Sequence, residues 1–308
     1  MIKNYLYNLF LKRFLRKKLY MIGLSHILSA RKYYSKVSSL SDVDYKVFSQ
    51  NGEDGILDYL LTSLDIENPK FLEIGVGDFT ECNTRFIFDR CSAKGTIIDC
   101  MNNFEEKVKK NVELWKGDLK IINKKINTDN IRDLIKNSDC FLNLDVFSLD
   151  IDGIDYWILK ELPENFSKIV VLEYNPLFGS NLELTVPNLP NFDRSSYHYS
   201  NLCFGMSLKA AINLMLKKNF YFVGTNLFKN NAFFVNNKFD KKKYFNYLQV
   251  KSIQDSVNFN FTESRSKDGS LNYLNNKEKI REILECEVID LSKSLINKNK
   301  INELFRLK

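Results

Sequence analysis

The stretch Lys70–Asp78, Lys-Phe-Leu-Glu-Ile-Gly-Val-Gly-Asp, constrains the chain more than any other. A short apolar run ends in an acid, two glycines and a second acid. That is the pattern of a buried strand breaking into a loop that a ligand can approach closely, because glycine has no Cβ in the way. Thr84–Arg90 then reads as a helix, so the loop would turn backbone N–H groups and a helix N-terminus toward whatever binds.

A second apolar run, Gly95–Ile98, closes on Asp99, which lies 22 residues after Gly77. An acid at the end of a second strand is placed to accept hydrogen bonds from ribose hydroxyls, so the expected ligand is a nucleoside. Segments then alternate: helix 104–115, strand 119–123, helix 129–136, strand 146–151, helix 155–162 and strand 169–174. Strands separated by helices imply parallel pairing through right-handed crossovers, hence a doubly wound α/β sheet. Residues 175–204 lack periodicity and hold three of the five prolines, as a functional or a disordered loop would. A helix over 207–218 and strands 221–225 and 232–235 follow, the strands forming a terminal antiparallel hairpin.

Three regions result: a basic extension over residues 1–41, a Rossmann-like domain over 42–235, and a Lys- and Asn-rich extension over 236–308. The last carries two weakly helical stretches, 277–285 and 288–307, and is expected to have no chemistry. The first 41 residues hold nine Lys or Arg and no acid, leaving 36 basic against 38 acidic residues elsewhere; the net charge of +7 belongs to the N-terminus. That is a poor footprint for nucleic acid, which is not the expected partner. Tyr5, Leu6, Leu9, Phe10, Phe14, Leu15, Leu19 and Ile22 fall at helical spacing among those cations. An amphipathic basic helix is expected there, either contacting a membrane surface through residues 1–36 or packing on the domain or a second subunit. Cys82, Cys91, Cys100, Cys140, Cys203 and Cys286 never occur as Cys-x-x-Cys, and only His26 and His198 accompany them. Reduced thiols in a cytoplasmic protein, peripheral at most to the inner membrane, are expected, without a zinc site, membrane span or signal peptide.

Candidate chemistry gathers at strand ends. Ser49–Asp54 sits at a helix start, either as a cap or with Gln50 and Glu53 lining the ligand mouth. Asp150 and Asp152, two apart at the fourth strand end, face the same side; Gly153 follows, and Glu173 closes the fifth strand. Three carboxylates at one rim point to substrate hydroxyls, a general base or Mg2+; the alternative is that Asp150 or Asp155 caps the next helix. His198 in the long loop is a further candidate base. Asn175-Pro-Leu-Phe178 is similar to the Asn-Pro-Pro-Tyr signature of nucleobase-amine methylation, but follows the fifth strand and not the fourth.

Glu73-x-Gly75-x-Gly77, Asp99, Asp150-Ile-Asp-Gly153 and the final hairpin together resemble class I S-adenosylmethionine-dependent methyltransferases. Within that class, Ser49–Asp54, Leu149–Gly153 with Asp155-Tyr-Trp157, and Gly224-Thr-Asn226 with Asn231-Ala-Phe-Phe234 are similar to the FkbM-like group, associated with sugar and surface-polysaccharide methylation. The resemblance covers about residues 46–235. It implies that Glu73, Gly75 and Gly77 hold the amino-acid end and ribose of S-adenosyl-L-methionine, that Asp99 takes the ribose hydroxyls and that Asn127 lies near adenine. Gln50, Glu53, Asp78, Asn83 and Asp150 complete the expected cofactor set; Asp150, Asp152, Glu173 and His198 form the expected catalytic set, with Asp150, Asp152 and Glu173 as the Mg2+ ligands if a metal takes part. The expected activity is O-methylation of a hydroxyl on a sugar, sugar nucleotide or glycan precursor, with a homodimer allowed for. A nucleotide-dependent oxidoreductase is the alternative, disfavoured because Thr80 stands where a third small residue lets helix and strand pack closely; a non-catalytic membrane-bound module is another.

Overall fold

The computed structural model describes residues 2–137, 141–239, 263–293 and 297–305; Cys140 and parts of the C-terminal extension lie outside them. Helix α1 (Ile2–Ala30) leads through two short 3-10 turns to α2 (Glu53–Ser63). Then come β1 (Lys70–Ile74), α3 (Arg85–Arg90), β2 (Lys94–Asp99), α4 (Phe104–Asn111), β3 (Asp118–Asn123) and α5 (Thr128–Asn137). The second half supplies β4 (Val146–Leu149), α6 (Asp155–Glu161), β5 (Ile169–Glu173), β6 (Leu184–Thr185), α7 (Arg194–Tyr197) and α8 (Leu208–Lys217). The hairpin β7 (Phe220–Thr225) and β8 (Asn231–Asn236) precedes α9 (Asn276–Glu282), β9 (Glu287–Asp290), β10 (Lys298–Lys300) and α10 (Ile301–Leu304).

Seven strands form one sheet in the order β3-β2-β1-β4-β5-β8-β7. The first five are parallel, and β8 pairs antiparallel with both β5 and β7. The chain is therefore a doubly wound α/β fold, and its strand order reverses between β1 and β4, where the crevice for a ligand opens. Strands β1, β4 and β5 are apolar almost throughout because helices cover both faces; Leu72, Phe147 and Val170 pack one side of the sheet, Phe71, Val146 and Val171 the other.

The long segment after β5 is a packed layer. Leu177, Phe178, Leu184, Leu202 and Phe204 are fully buried in the main core. The expected helix over 288–307 is replaced. Residues 287–290 and 298–300 form β9 and β10, which join β6 in a three-stranded antiparallel sheet, and among the described residues of that stretch only Ile301–Leu304 is helical. Val288 and Ile289 are β-branched neighbours whose side chains leave a strand on opposite faces; both are buried here. The expected helix to Trp115 stops at Asn111, and Trp115 stands exposed on a 3-10 turn.

Helix α1 forms, and of its expected apolar stripe Phe14, Leu15, Leu19 and Ile22 are exposed. Tyr20, Gly23 and Ile27 meet the domain: the Tyr20 ring lies 5.9 Å from Phe48 and 6.3 Å from Phe86, and a Cβ on Gly23 would stand 2.7 Å from Val47. Among the described residues no helix is long and apolar enough to cross a membrane.

Candidate active site

The glycine loop is fixed from both sides. Gly75 has φ +87°, and a Cβ on it would fall 1.6 Å from the Asp150 carbonyl oxygen, so glycine is demanded by the neighbouring strand end and not by the ligand. Gly77, at φ +56°, is open on its Cβ side, with nothing nearer than Met101 at 3.9 Å. Its N–H donates to Asp99 Oδ2 at 2.8 Å, and Asp99 Oδ1 accepts the Met101 N–H at 2.8 Å. Asp99 thereby shapes the loop while lining the same cavity.

Glu73 lies beneath this loop and does not line the cavity. It is fully buried and accepts the N–H groups of Asn83 and Thr84, each at 2.9 Å, and the hydroxyls of Thr84 and Ser148. Burial raises its pKa against the pull of those donors. It ties β1 to the start of α3 and to β4, and Asn83 is part of that tie through its 3.0 Å bond to Ser148.

Ser49–Asp54 folds into a tight knot around two carboxylates. Asp54 Oδ2 gathers the N–H groups of Val47, Phe48 and Ser49 and the Ser49 hydroxyl, while its other oxygen has no protein partner. Burial pushes this carboxyl up to about 7. Glu53 turns from the cavity to the hairpin: Oε1 accepts the side-chain amides of Asn226 at 2.7 Å and Asn231 at 2.8 Å, and Oε2 accepts the Asn51 N–H at 3.0 Å. Asn230 joins the network through the Asn51 and Asn226 amides. Two motifs more than 170 residues apart are one hydrogen-bonded unit, which leaves Gln50, Asn51 and Asn230 on the cavity wall.

The carboxylate rim assembles at the ends of β4 and β5. Oxygens of Asp150, Asp152 and Glu173 all lie within 4.8 Å of one another. Asp155 holds the turn that carries the first two, accepting the N–H groups of Ile151 at 3.0 Å and Gly153 at 2.9 Å; burial lifts its carboxyl to about 6. Burial first, and then the neighbouring negative charge, hold Asp150 and Glu173 well above the usual carboxylate range. Asp152, in a left-handed backbone at φ 52°, is also raised by burial but is opposed by the guanidinium of Arg194, with which it pairs. Arg194 reaches on to Glu263 at 3.1 Å and stacks over Phe204. These hard oxygen donors could hold Mg2+, although Arg194 already supplies one positive charge to the rim.

Both halves open into one cavity of about 880 Å3. Of the residues expected from the sequence, Gln50, Gly75, Gly77, Asp78, Asp99, Asp150, Asp152 and Glu173 line it. Glu53, Glu73 and Asn83 support its walls. Asn127 is spent on capping α5, accepting the N–H groups of Asp129 and Asn130. His198 faces elsewhere, its Nδ1 2.7 Å from the Ser200 hydroxyl and its ring beside Cys286. Arg194, Asn230 and Glu263 line the cavity without having been singled out by sequence. Arg194 carried one signal, being the sole Lys or Arg in residues 175–204.

No family model matches the chain, and no curated protein matches it. Among solved structures it is similar to the pyocyanin biosynthetic protein PhzM, with 15% identity and a TM-score of 0.36 over 57% of this chain and 52% of that one. It is also similar to spermidine synthase from Thermotoga maritima, with 14% identity and a TM-score of 0.36 over 78% and 70% of the two chains. A third likeness is to a Galdieria sulphuraria protein described as a sarcosine dimethylglycine methyltransferase, with 12% identity and a TM-score of 0.33 over 63% and 72%. The chain thus spans about half the length of PhzM, and the chemistry of its cavity is read from its own residues.

Proposed function

We propose that the cavity binds S-adenosylmethionine and that the protein is an O-methyltransferase acting on a hydroxyl of a sugar, sugar nucleotide or glycan precursor. The observation that carries this reading is the shared cavity: a glycine loop shaped by Asp99 at one end and a rim of three clustered carboxyl groups at the other. The open Cβ side of Gly77 fits a ligand in close approach, and the remaining lone pairs of Asp99 suit ribose hydroxyls. When bound, the cofactor supplies an electrophilic methyl group on a sulfonium centre.

The chain's own residues then have three tasks. Asp152 and the Asp150–Glu173 pair accept hydrogen bonds from acceptor hydroxyls and take up the proton released; their raised pKa values bring them closer to the operating pH, where a carboxyl base is most effective. The amides of Gln50, Asn51 and Asn230 offer paired donors and acceptors for a polyol, and Phe192 and Phe228 supply apolar walls. Arg194 keeps Asp152 oriented and lowers the repulsion within the rim.

Calorimetric titration with S-adenosylhomocysteine tests the cofactor: micromolar binding that Asp99→Ala weakens at least tenfold is expected, and no binding, or tighter binding of reduced nicotinamide cofactor, overturns it. Transfer of labelled methyl to sugar nucleotides tests the acceptor. Asp152→Asn with unchanged cofactor affinity and unchanged turnover removes the catalytic role given to that residue.

A further inference from the structure

Helix α1 turns an apolar face away from the domain it docks on. At 3.6 residues per turn, Tyr20, Gly23 and Ile27 share the docked side. Leu15 and Ile22, seven residues apart, form one ridge of the opposite side; Met21 and Leu28, also seven apart, form another. These four side chains are about half exposed or more, as is Leu19 at the margin. A run of large apolar residues held out by a helix whose other side is already satisfied exceeds the scattered exposed leucines of an ordinary surface.

Charge selects the occupant. Residues 1–41 carry nine cations and no acid; Lys17 and Lys18 are exposed on α1, and Lys32 and Lys36 are exposed on the 3-10 turn that follows it. Lys18 lies between the apolar ridges, with its Nζ 5.3 Å from the Phe14 ring centre, its stem lying along apolar surface and its head able to reach outward. Tyr33, exposed just beyond α1, is an aromatic with a polar tip of the kind that sits at a headgroup boundary. A second copy would bring two such cationic segments together, whereas a lipid surface of negative charge satisfies the ridges and the lysines at once. We infer that the outer face of α1 docks this protein on an anionic lipid surface, with the helix lying in the interface and the catalytic domain on its inner side. The helix is too polar to cross the bilayer, so the association is peripheral.

This inference does not depend on the activity proposed above, and its test uses the full chain without substrate. Co-sedimentation with vesicles of phosphatidylcholine alone is compared with vesicles containing one third phosphatidylglycerol. Binding at least tenfold tighter to the anionic vesicles is expected, falling steeply between 0.05 and 0.5 M salt as each basic residue near the surface loses its roughly fivefold contribution. Leu15→Ser with Ile22→Ser, and separately Lys17→Glu with Lys18→Glu, should each abolish sedimentation; both pairs are exposed, and unchanged thermal unfolding checks that the fold survives. Sedimentation equilibrium supplies the opposing outcome. A dimer dispersed by Leu15→Ser/Ile22→Ser without vesicle binding, or wild-type protein that ignores anionic vesicles, overturns the inference.

Discussion

Replacing Glu53 by alanine tests whether the polar knot before β1 and the terminal hairpin are one structural unit. The carboxylate is fully buried and receives three hydrogen bonds, from Asn226 and Asn231 at 2.7 and 2.8 Å and from the Asn51 N–H at 3.0 Å. Hydrogen bonds to a charged group are worth about 1.5–3 kcal/mol each, which sets a gross loss of roughly 5–9 kcal/mol. Alanine also relieves the cost of burying the charge, and the Asn226 amide retains its bond to Asn230. The net loss should therefore be about 3–5 kcal/mol, the range found when one member of a buried charged network is removed. Urea unfolding followed by fluorescence measures it, with an unchanged m value showing that the same surface is exposed on unfolding. The cycle Glu53→Ala with Asn226→Ala should give a coupling energy of about 1–3 kcal/mol. Ligand binding should weaken as well, because Asn51 and Asn230 carry the network onto the cavity wall. A loss below about 1 kcal/mol, or coupling near zero, would refute the reasoning: the β7–β8 ladder would then hold the hairpin in place without the clasp.

Three further outcomes test other parts of the site. Gly75→Ala places a Cβ 1.6 Å from the Asp150 oxygen in a left-handed backbone, and should lower the unfolding free energy by more than about 3 kcal/mol, whereas Gly77→Ala, with open space at its Cβ, should fold and lose ligand affinity. Asp54 holds its proton up to about pH 7 in the folded chain but only to about 4 when unfolded. Its contribution is complete below about pH 4 and is lost as pH rises through 7, on the order of 3–4 kcal/mol; Asp54→Asn should flatten the stability profile between pH 4 and 8, and an unchanged slope rejects the assignment. Arg194→Gln removes the cation that opposes the rise of Asp152, so the acid limb of the turnover profile should move to higher pH by about one unit, with cofactor affinity unchanged.

Much of this architecture is legible in the chain because its causes are local. Apolar runs of five residues ending in acid or glycine, separated by helical stripes, specify a parallel sheet with its ligand crevice beside β1. Asp99 and the Asp150–Gly153 turn sit at strand ends, where two-residue periodicity fixes which way a side chain points. The same logic misleads at the C-terminus, where Val288 and Ile289 fit a weak helix as well as a strand; pairing of Ile289 with Thr185, about a hundred residues earlier, and of Val288 with Asn299 makes them a strand.

The α/β sheet, the glycine loop and the three carboxylates of the rim each follow from spacing along a few residues. The use made of the other polar groups depends on the partners that the folded chain offers them. Glu53 is taken up by Asn226 and Asn231, Glu73 by the start of α3, Asn127 by its own helix, and His198 by Ser200, while Arg194 and Glu263 arrive at the rim from distant segments. A buried polar group must find a partner wherever the fold brings one, whether 11 residues away for Glu73 or 173 for Glu53, and neither pairing leaves a periodic trace in the chain.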